Sequence, residues 1–344
     1  MRNESGKLIS SIYDLFLILA LISLVFTINE CSSNPISGED RLQLETTGFS
    51  CNSDLHTEIC LANKQVRIDN NALKVYIPSS QAVEKRLILP YPRKEDKTAM
   101  DRFVITDYKP WWVDKYKKVL SNLSSFEVIN PGADGTVHCF PGAVIGLKYH
   151  DNLAINGTGI PAGYSMSDFK RFLIQSFNLK IKRVSEVKKP PVLVLISRSN
   201  TRRFLNEHEM IVMMKELGFE VIVADPMRMT NLDQFAEVLN SCSVLVGAHG
   251  AGLTNEIFLP EGAVTVQVVG LGLEWAATTY YGDPASEMGV KYLEYKIEPE
   301  ESTLLEKYGR DHPVIVDPNS IYEQGYFAVR AVYVDGQNMK INLN

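Results

Sequence analysis

The sequence predicts an α/β protein whose second half is built around a parallel β-sheet. Between residues 192 and 269, short apolar stretches alternate with helical ones in the order β-α-β-α-β-α-β. The strand-like stretches are almost continuously apolar, which is typical of a parallel sheet covered by helices on both faces. The composition fits a folded globular chain, since 45% of the 344 residues are hydrophobic and 22% are charged.

The first residues predict a membrane anchor. Leu8–Ile28 is long and apolar enough to span a bilayer. Arg2 and Lys7 precede this stretch, and the positive-inside rule then leaves residues 1–7 in the cytosol. Residues 29–50 are polar and predict a flexible stem between the membrane and the folded part. The alternative is a cleaved signal peptide, but no clear cleavage site follows the apolar stretch.

Residues 51–180 predict a first, less regular α/β domain. Helices are expected at Pro110–Ser121, which has proline in its first turn, and at Ser165–Phe177, which begins with a capping serine. Residues 178–191 are polar, end in two prolines and predict the link to a second domain at 181–344. The strands expected in the first domain are Leu73–Ile77, Arg86–Leu89, Arg102–Thr106, Phe126–Ile129 and Thr136–Leu147.

The cysteines and glycosylation sequons agree with an extracytoplasmic location. Cys51 and Cys60 are close together in a polar segment, and an oxidising compartment favours a disulfide between them. Cys139 and Cys242 lie beside apolar stretches, where two buried free thiols are favoured over a second disulfide. The sequons beyond the anchor begin at Asn122 and Asn156.

The second domain carries the regular alternation. The carboxyl ends of parallel strands meet at one edge of a sheet, so the residues that follow them are expected to surround a ligand. The net charge of −6 gives no support for nucleic-acid binding, and an anionic ligand then needs a local basic site. The predicted strands are Val192–Ile196, Glu220–Ala224, Val244–Val246 and Ala263–Val269, and the predicted helices are Asn206–Leu217, Asn231–Ser241 and Gly252–Leu259.

The glycine-rich turn at residues 247–252 predicts an anion site. Gly250 and Gly252 allow another group to approach the backbone closely. Unpaired N–H groups at the start of the following helix attract negative charge, and His249 can donate a further hydrogen bond. The alternative is a turn that only closes a β-α unit. The spacing G-x-x-G-x-G differs from the nicotinamide fingerprint G-x-G-x-x-G, so a dinucleotide site is the weaker functional interpretation.

The same region resembles a known family. The sequence V-G-A-H-G-A-G-L-T-N at 246–255, followed by F-L-P-E-G-A-V, is similar to the signature of the plant family-61 glycosyltransferases. That family includes xylan arabinosyl- and xylosyltransferases. The resemblance covers most of residues 50–340, and its other motifs are Asp107–Tyr116, His138–Ile155, Leu195–Asn206, Leu273–Tyr281 and Tyr308–Pro313.

The resemblance implies a GT-B-like fold, in which an acceptor-side domain faces a nucleotide-sugar-binding domain and both are Rossmann-like. It also implies an inverting transfer of arabinose or xylose from a UDP-sugar to a xylan-type cell-wall polysaccharide. The enzyme would be a single-pass type II protein of the Golgi membrane with its catalytic part in the lumen. UDP-pentose, the polysaccharide and the membrane are therefore the expected partners.

Basic side chains after the first strand of the second domain are expected to bind the donor diphosphate. Arg198, Arg202 and Arg203 supply forked donors that suit phosphate, although a solvated basic loop is the alternative for Arg202. Glu274 is expected either to bond a ribose hydroxyl or to be an ordinary loop carboxylate. No Asp-x-Asp pair occurs, so neither a metal nor another cofactor is expected. The predicted donor-binding residues are Arg198, Arg203, His249, Gly250, Gly252, Asn255 and Glu274.

One segment of the family pattern is missing, because this chain runs directly from Met100 to Asp101. The segment is expected to hold the catalytic base, so no base can be transferred from the family. The remaining candidates, each with an ordinary structural role as the alternative, are Asp107, His138, His150 and Asp151. Two alternatives to the transferase stay open. They are a non-catalytic or truncated relative that only binds nucleotide sugar, and a nicotinamide-dependent oxidoreductase.

Overall fold

The computed structural model describes residues 45–53, 58–69, 74–77, 105, 108–130, 133, 136–140, 143–145, 153–155, 163–187 and 189–343. The predicted anchor at Leu8–Ile28, the strand at Arg86–Leu89, most of the strand at Arg102–Thr106 and the Met100–Asp101 junction lie outside these ranges. Within them, no helix combines the length and the apolar character needed to cross a membrane. Internal contacts divide the chain into two compact units, of which one contains Asn152–Ala154 and Met166–Asn344.

In the other unit, the described strands form two three-stranded antiparallel sheets, ordered β1-β2-β6 and β4-β3-β5. Cys51 and Cys60 face each other across the β1–β2 pair, and the predicted disulfide between them is confirmed. Cys139 and Cys242 are free thiols, of which only Cys242 is buried. The six strands are β1 (Phe49–Ser53), β2 (Glu58–Ala62), β3 (Val66–Asp69), β4 (Lys74–Tyr76), β5 (Val137–Phe140) and β6 (Ala143–Ile145).

The described part of this unit does not confirm a second Rossmann-like domain, because all of its strand pairs are antiparallel. The single strand predicted at Thr136–Leu147 is wrong, since β5 and β6 join different sheets. A pattern of apolar residues shows where strands are favoured but not where the chain reverses. The helix predicted from Pro110 is present in two parts, Pro110–Lys115 and Lys117–Leu123. The strand predicted at Phe126–Ile129 is reduced to a backbone hydrogen bond of 3.3 Å from Ile105 N to Ile129 O.

The unit that contains residues 166–343 has the predicted parallel sheet, with five strands in the order β11-β10-β9-β7-β8. Four of them are the predicted ones, and β11 was not predicted. Its sequence K-Y-L-E-Y-K is polar, because an edge strand faces solvent along much of its length. The strands are β7 (Val192–Ile196), β8 (Glu220–Ala224), β9 (Val244–Ala248), β10 (Val264–Val269) and β11 (Lys291–Lys296).

Helices cover the sheet and supply its core. Leu193, Leu195 and Val246 of the sheet share one buried apolar cluster with Met210 and Met214. The helix predicted at Gly252–Leu259 is present at Ala251–Phe258 in the tighter 3₁₀ form. The α-helices of this unit are Met166–Ser176, Glu207–Glu216, Leu232–Asn240, Glu274–Ala277, Asp283–Glu287, Thr303–Tyr308, Pro313–Val316, Asn319–Tyr322 and Tyr326–Val329. Short 3₁₀ turns occupy Val184–Glu186, Arg228–Thr230 and Pro299–Glu301, and π-helical turns occupy Thr278–Gly282 and Arg330–Val334.

The helix Met166–Ser176, which the sequence assigned to the first domain, belongs to the same unit as the parallel sheet. Its Lys170 Nζ donates a 2.9 Å hydrogen bond to Met288 O. Phe177, just after the helix, packs edge-on against Phe258 with ring centroids 5.3 Å apart. These contacts place the unit boundary before the helix, whereas the sequence placed it near residue 180.

Candidate functional site

Two arginines and the glycine turn meet at the carboxyl edge of the parallel sheet. Arg198 and Arg202 follow β7, and His249 follows β9. Arg202 Nη1 donates a 2.8 Å hydrogen bond to the backbone carbonyl of His249, and Arg198 Nε donates one of 2.8 Å to Thr201 O. The sheet therefore brings together Arg198 and His249 as predicted, and it adds Arg202 to them.

The backbone of Arg202 has an unfavourable conformation. Its φ is +54°, in the left-handed region that residues with a side chain seldom adopt. A hydrogen bond of 2.7 Å from Arg202 N to Gln337 O holds the backbone in place. Such a conformation persists only where the surroundings impose it, and it is common at binding sites.

Gly250 allows the two guanidinium groups to reach the turn. Its φ is +141°, and a Cβ at this position would lie 2.9 Å from both Arg198 Nη1 and Arg202 Nη1. Any larger residue would therefore collide with both side chains. The neighbouring Gly252 packs against β7, where an added Cβ would lie 2.9 Å from Ile196 Cγ2.

Neither guanidinium group forms a direct salt bridge with a carboxylate in the described part of the chain. Arg202 is only 9% exposed and its Nε has no hydrogen-bond partner there. Burial, reinforced by the charge of Arg198, lowers the pKa of Arg202 to about 9. Burial also lowers the pKa of Arg198. Two adjacent, desolvated cations with a free donor form a site that an anion would stabilise.

The two π-helical turns direct further polar groups towards the arginines. Arg330 begins the second turn and pairs with Asp335 just after it, with Nε and Oδ2 3.0 Å apart. Asp335 raises the pKa of both Arg198 and Arg202, whereas Arg330 lowers that of Arg202. This pair was not predicted, because no local pattern in the sequence relates it to residues near β7. Turns of this kind are frequent at functional sites.

Tyr281, in the first π-helical turn, lies against the histidine. It is fully buried, and its ring meets that of His249 edge-on at 5.5 Å between centroids. Burial raises the pKa of Tyr281 well above its usual value, so the hydroxyl stays protonated. The family motif at Leu273–Tyr281 contains this residue, but nothing in the motif distinguishes it from its neighbours.

A row of polar side chains continues from His249 across β10 and β11. We call it the polar stripe, and its members are Gln267, Tyr292 and Glu294. Gln267 lies opposite Glu294 in the strand register. Gln267 Nε2 is 2.7 Å from His249 Nδ1, and the Tyr292 hydroxyl is 2.8 Å from Gln267 Oε1 and 3.0 Å from Glu294 Oε1. The signal in the sequence was a glutamine within the predicted strand V-T-V-Q-V-V. In the structure this glutamine, Gln267, is fully buried.

His249 is held neutral by its surroundings. Burial, followed by the charges of Arg202 and Arg198, lowers its pKa to about 3. A neutral imidazole has one N–H donor and one acceptor nitrogen. His249 can therefore take part in hydrogen bonding at the site without adding a positive charge.

The other predicted donor residues are less closely connected with the arginine pair. Arg203 is exposed, and its backbone N–H and C=O bond to Asn338 Oδ1 and Met339 N. Asn255 Nδ2 donates a 3.0 Å hydrogen bond back to Gly252 O. Glu274 is exposed at the start of its helix. The donor roles of Arg203, Asn255 and Glu274 remain predictions.

The catalytic base is not identified. Asp107, His150 and Asp151 lie outside the described ranges, as does the sequon residue Asn156. His138 lies on β5, with its Nε2 3.0 Å from Thr136 Oγ1.

Asn122 is exposed on its helix, and glycosylation there remains a prediction. Where side chains are described, no cluster of three or more His, Cys, Asp or Glu residues has the arrangement of a metal site.

Known proteins are similar to this chain over most of its length. The model of the family Glycosyltransferase 61 matches residues 71–266. An alpha-1,3-arabinosyltransferase of Oryza sativa subsp. japonica (XAT3) is 40% identical over 246 residues, which cover 70% of this chain and 43% of that protein. A beta-1,2-xylosyltransferase of the same organism (XAX1) is 42% identical over 249 residues, covering 70% and 44%.

A third relative, the xylan glycosyltransferase MUCI21 of Arabidopsis thaliana, is 37% identical over 257 residues, which cover 70% of this chain and 52% of that protein. The chain thus matches about half of the length of each of these relatives. Both the extent of the family match and the identity to its members are those of a true member. The chain belongs to the glycosyltransferase 61 family.

Proposed function

We propose that this chain is a glycosyltransferase that moves a pentose, arabinose or xylose, from a UDP-sugar to a xylan-type polysaccharide with inversion. The relatives' names, which describe arabinosyl-, xylosyl- and xylan glycosyltransferases, support the reaction class and the acceptor. The observation that carries the donor site is the pair of guanidinium groups at Gly250, of which Arg202 is buried and has an Nε without a hydrogen-bond partner among the described residues.

The donor diphosphate lies against Arg198, Arg202 and the N-terminus of the 3₁₀ helix Ala251–Phe258 in this proposal. Charge develops on the diphosphate as the sugar departs, and stabilising that charge is the main electrostatic task of the enzyme. The guanidinium groups are already oriented by their bonds to Thr201 O and His249 O. They can stabilise the leaving group without rearrangement and without a metal ion.

The alternative is a non-catalytic relative that binds nucleotide sugar only. The junction at Met100–Asp101 favours it, because the family segment expected to hold the base is missing there. Loss of a general base costs about 10²–10⁴ in rate, so we expect donor binding to persist while transfer to xylo-oligosaccharides is poor. Robust turnover by the unmodified chain would contradict this alternative. The family match favours both the transferase and the non-catalytic relative over a nicotinamide-dependent oxidoreductase.

We further propose a type II location in the Golgi membrane, based on Leu8–Ile28 and its flanking charges. The C-terminal part would then be protected from protease in intact vesicles. Digestion without detergent would contradict the proposed orientation.

The donor site is tested by calorimetry with UDP on Arg198→Ala. A hydrogen bond to a charged group contributes about 1.5–3 kcal/mol, so we expect UDP affinity to fall by that amount. Arg228→Ala is the control, because it removes the same charge from an exposed position that has no predicted donor role. Equal losses in the two folded variants would indicate a diffuse charge effect, and unchanged binding in Arg198→Ala would remove the assignment.

A further inference from the structure

The polar stripe forms a chain of hydrogen bonds that runs from His249 to the carboxylate of Glu294. Glu294 Oε1 accepts a 2.8 Å bond from Thr278 Oγ1, and its Oε2 lies 3.4 Å from Lys296 Nζ. The carboxylate thus has partners besides Tyr292. The hydrogen bond from Thr278 and the charge of Lys296 lower the pKa of Glu294 against the effect of its partial burial, so it is an anion that can only accept.

The Tyr292 hydroxyl has one proton and two acceptors within reach. The distance to Gln267 Oε1 is 2.8 Å and that to Glu294 Oε1 is 3.0 Å. The contact with Gln267 is the shorter of the two, and Thr278 and Lys296 also serve the carboxylate, so Tyr292 donates its proton to Gln267. An amide whose oxygen accepts this proton turns its NH₂ group to the other side, where His249 Nδ1 lies at 2.7 Å.

The orientation of the amide decides which nitrogen of His249 carries the proton. Nδ1 accepts a hydrogen bond from Gln267, so the single proton of the neutral ring sits on Nε2. The surroundings keep the ring neutral, because Arg202 and Arg198 lie beside it and Tyr281 packs against it. A neutral ring of this tautomer presents an N–H donor at Nε2, while its basic nitrogen, Nδ1, is occupied by the hydrogen bond from Gln267.

We propose that Gln267 and Tyr292 are positioning residues that fix His249 as a neutral Nε2–H donor to the donor diphosphate. This inference rests on the proposed diphosphate site. His249 then stabilises the leaving group alongside the arginines and does not act as the catalytic base. It also gives a role to buried polar side chains that would otherwise weaken an apolar sheet.

The tautomer can be measured directly in the ligand-free protein. The chain has six histidines, so protein labelled with ¹⁵N-histidine gives a small set of ring signals, and His249→Gln identifies the signal of interest. We expect the shifts and couplings of a neutral ring protonated at Nε2. A ring protonated at Nδ1, or at both nitrogens, at neutral pH would overturn the proposal.

A matched pair of variants tests the role of Tyr292. Tyr292→Phe removes the hydroxyl that orients Gln267, whereas Tyr295→Phe removes one on the same strand that donates to Glu301 Oε1 at 2.8 Å. Tyr292→Phe should give a mixture of tautomers and weaken UDP binding about three- to tenfold, the range of one neutral hydrogen bond. Tyr295→Phe should change neither.

The two arms separate failure of this inference from failure of the proposed function. A wild-type spectrum retained in Tyr292→Phe would contradict the positioning role even if UDP binds. Absence of UDP binding by the wild-type protein would contradict the diphosphate site and with it the role of His249 as a phosphate donor, whereas the spectrum would still decide the tautomer.

Discussion

His249 lies between two polar regions that differ in how far their polar groups are paired. On one side, Arg198 and Arg202 hold two positive charges together, and the Nε of Arg202 has no partner in the described structure. On the other side, the members of the polar stripe bond to one another and to His249. The cost of desolvation remains in the first region and is largely offset in the second. We therefore infer that the first region awaits a ligand and the second orients a side chain.

Replacing one residue of each region by methionine should change the stability of the UDP-free protein in opposite directions. Gln267→Met leaves Nδ1 of His249 without its partner, which we expect to destabilise the protein by about 1–3 kcal/mol. Arg198→Met removes one of two adjacent positive charges, of which Arg198 is half-buried and Arg202 buried, and we expect it to stabilise the free protein by about 1 kcal/mol. Thermal unfolding without ligand measures both effects.

Addition of UDP sharpens the same test. Wild-type protein should gain stability from the ligand, whereas Arg198→Met should gain little, because a ligand stabilises only in proportion to its binding. Destabilisation of the free protein by Arg198→Met would show that the arginine is structurally satisfied, and the contrast between the regions would fail.

The next test crowds the arginine side without removing charge. Gly250→Ala places a Cβ 2.9 Å from both guanidinium groups, while Gly309→Ala has a similarly positive φ, of +85°, with nothing within 4 Å of the added atom. Both variants carry the backbone strain of about 1 kcal/mol. We expect only Gly250→Ala to lose UDP affinity, by roughly tenfold, since it displaces the arginines. Calorimetry that finds equal affinities for the two variants would contradict the close approach.

The smallest expected effect concerns Glu256, a buried carboxyl in the 3₁₀ helix Ala251–Phe258. Burial raises its pKa to about 8, against the opposing influence of Thr265 and Lys170. The folded state therefore binds this proton more tightly than the unfolded state does. Its contribution to stability is complete below the unfolded pKa of 4.5 and is lost as the pH rises towards about 8.

Glu256→Gln should remove this part of the pH dependence. We expect the melting temperatures of variant and wild type to lie closer together near pH 5 than near pH 8, where the variant should be the more stable. Lys170, whose pKa burial lowers to about 8, changes stability only above that window. Parallel melting curves of the two proteins across the window would show that Glu256 is not the titrating group.

The sequence predicted the sheet and part of the site because both depend on local patterns. Four strands were found from continuous apolar stretches, and Arg198 and His249 were found because the ends of parallel strands share one edge. The disulfide between Cys51 and Cys60 followed from their proximity in the chain.

The rest depended on contacts between residues that are distant in sequence. For Arg202 the sequence left phosphate binding and a solvated basic loop open, and its burial arises from bonds to Gln337 O and His249 O. The strand β11 was missed because its sequence is polar. Its backbone pairs with β10, and its Tyr292 hydroxyl bonds to Gln267, so the strand needs no continuous apolar stretch. A buried polar residue can be located in the sequence, but its partner cannot.

The π-helical turns Thr278–Gly282 and Arg330–Val334 each contain one residue more than an α-helical turn. Each residue of a helix rotates the next by about 100°, so deletion of a single residue would swing Tyr281 away from His249 or Asp335 away from Arg198 and Arg202. The length of these two segments therefore fixes the aim of the side chains more strictly than their composition does. In aligned homologues that bind the same donor, we expect substitutions within them but no insertions or deletions.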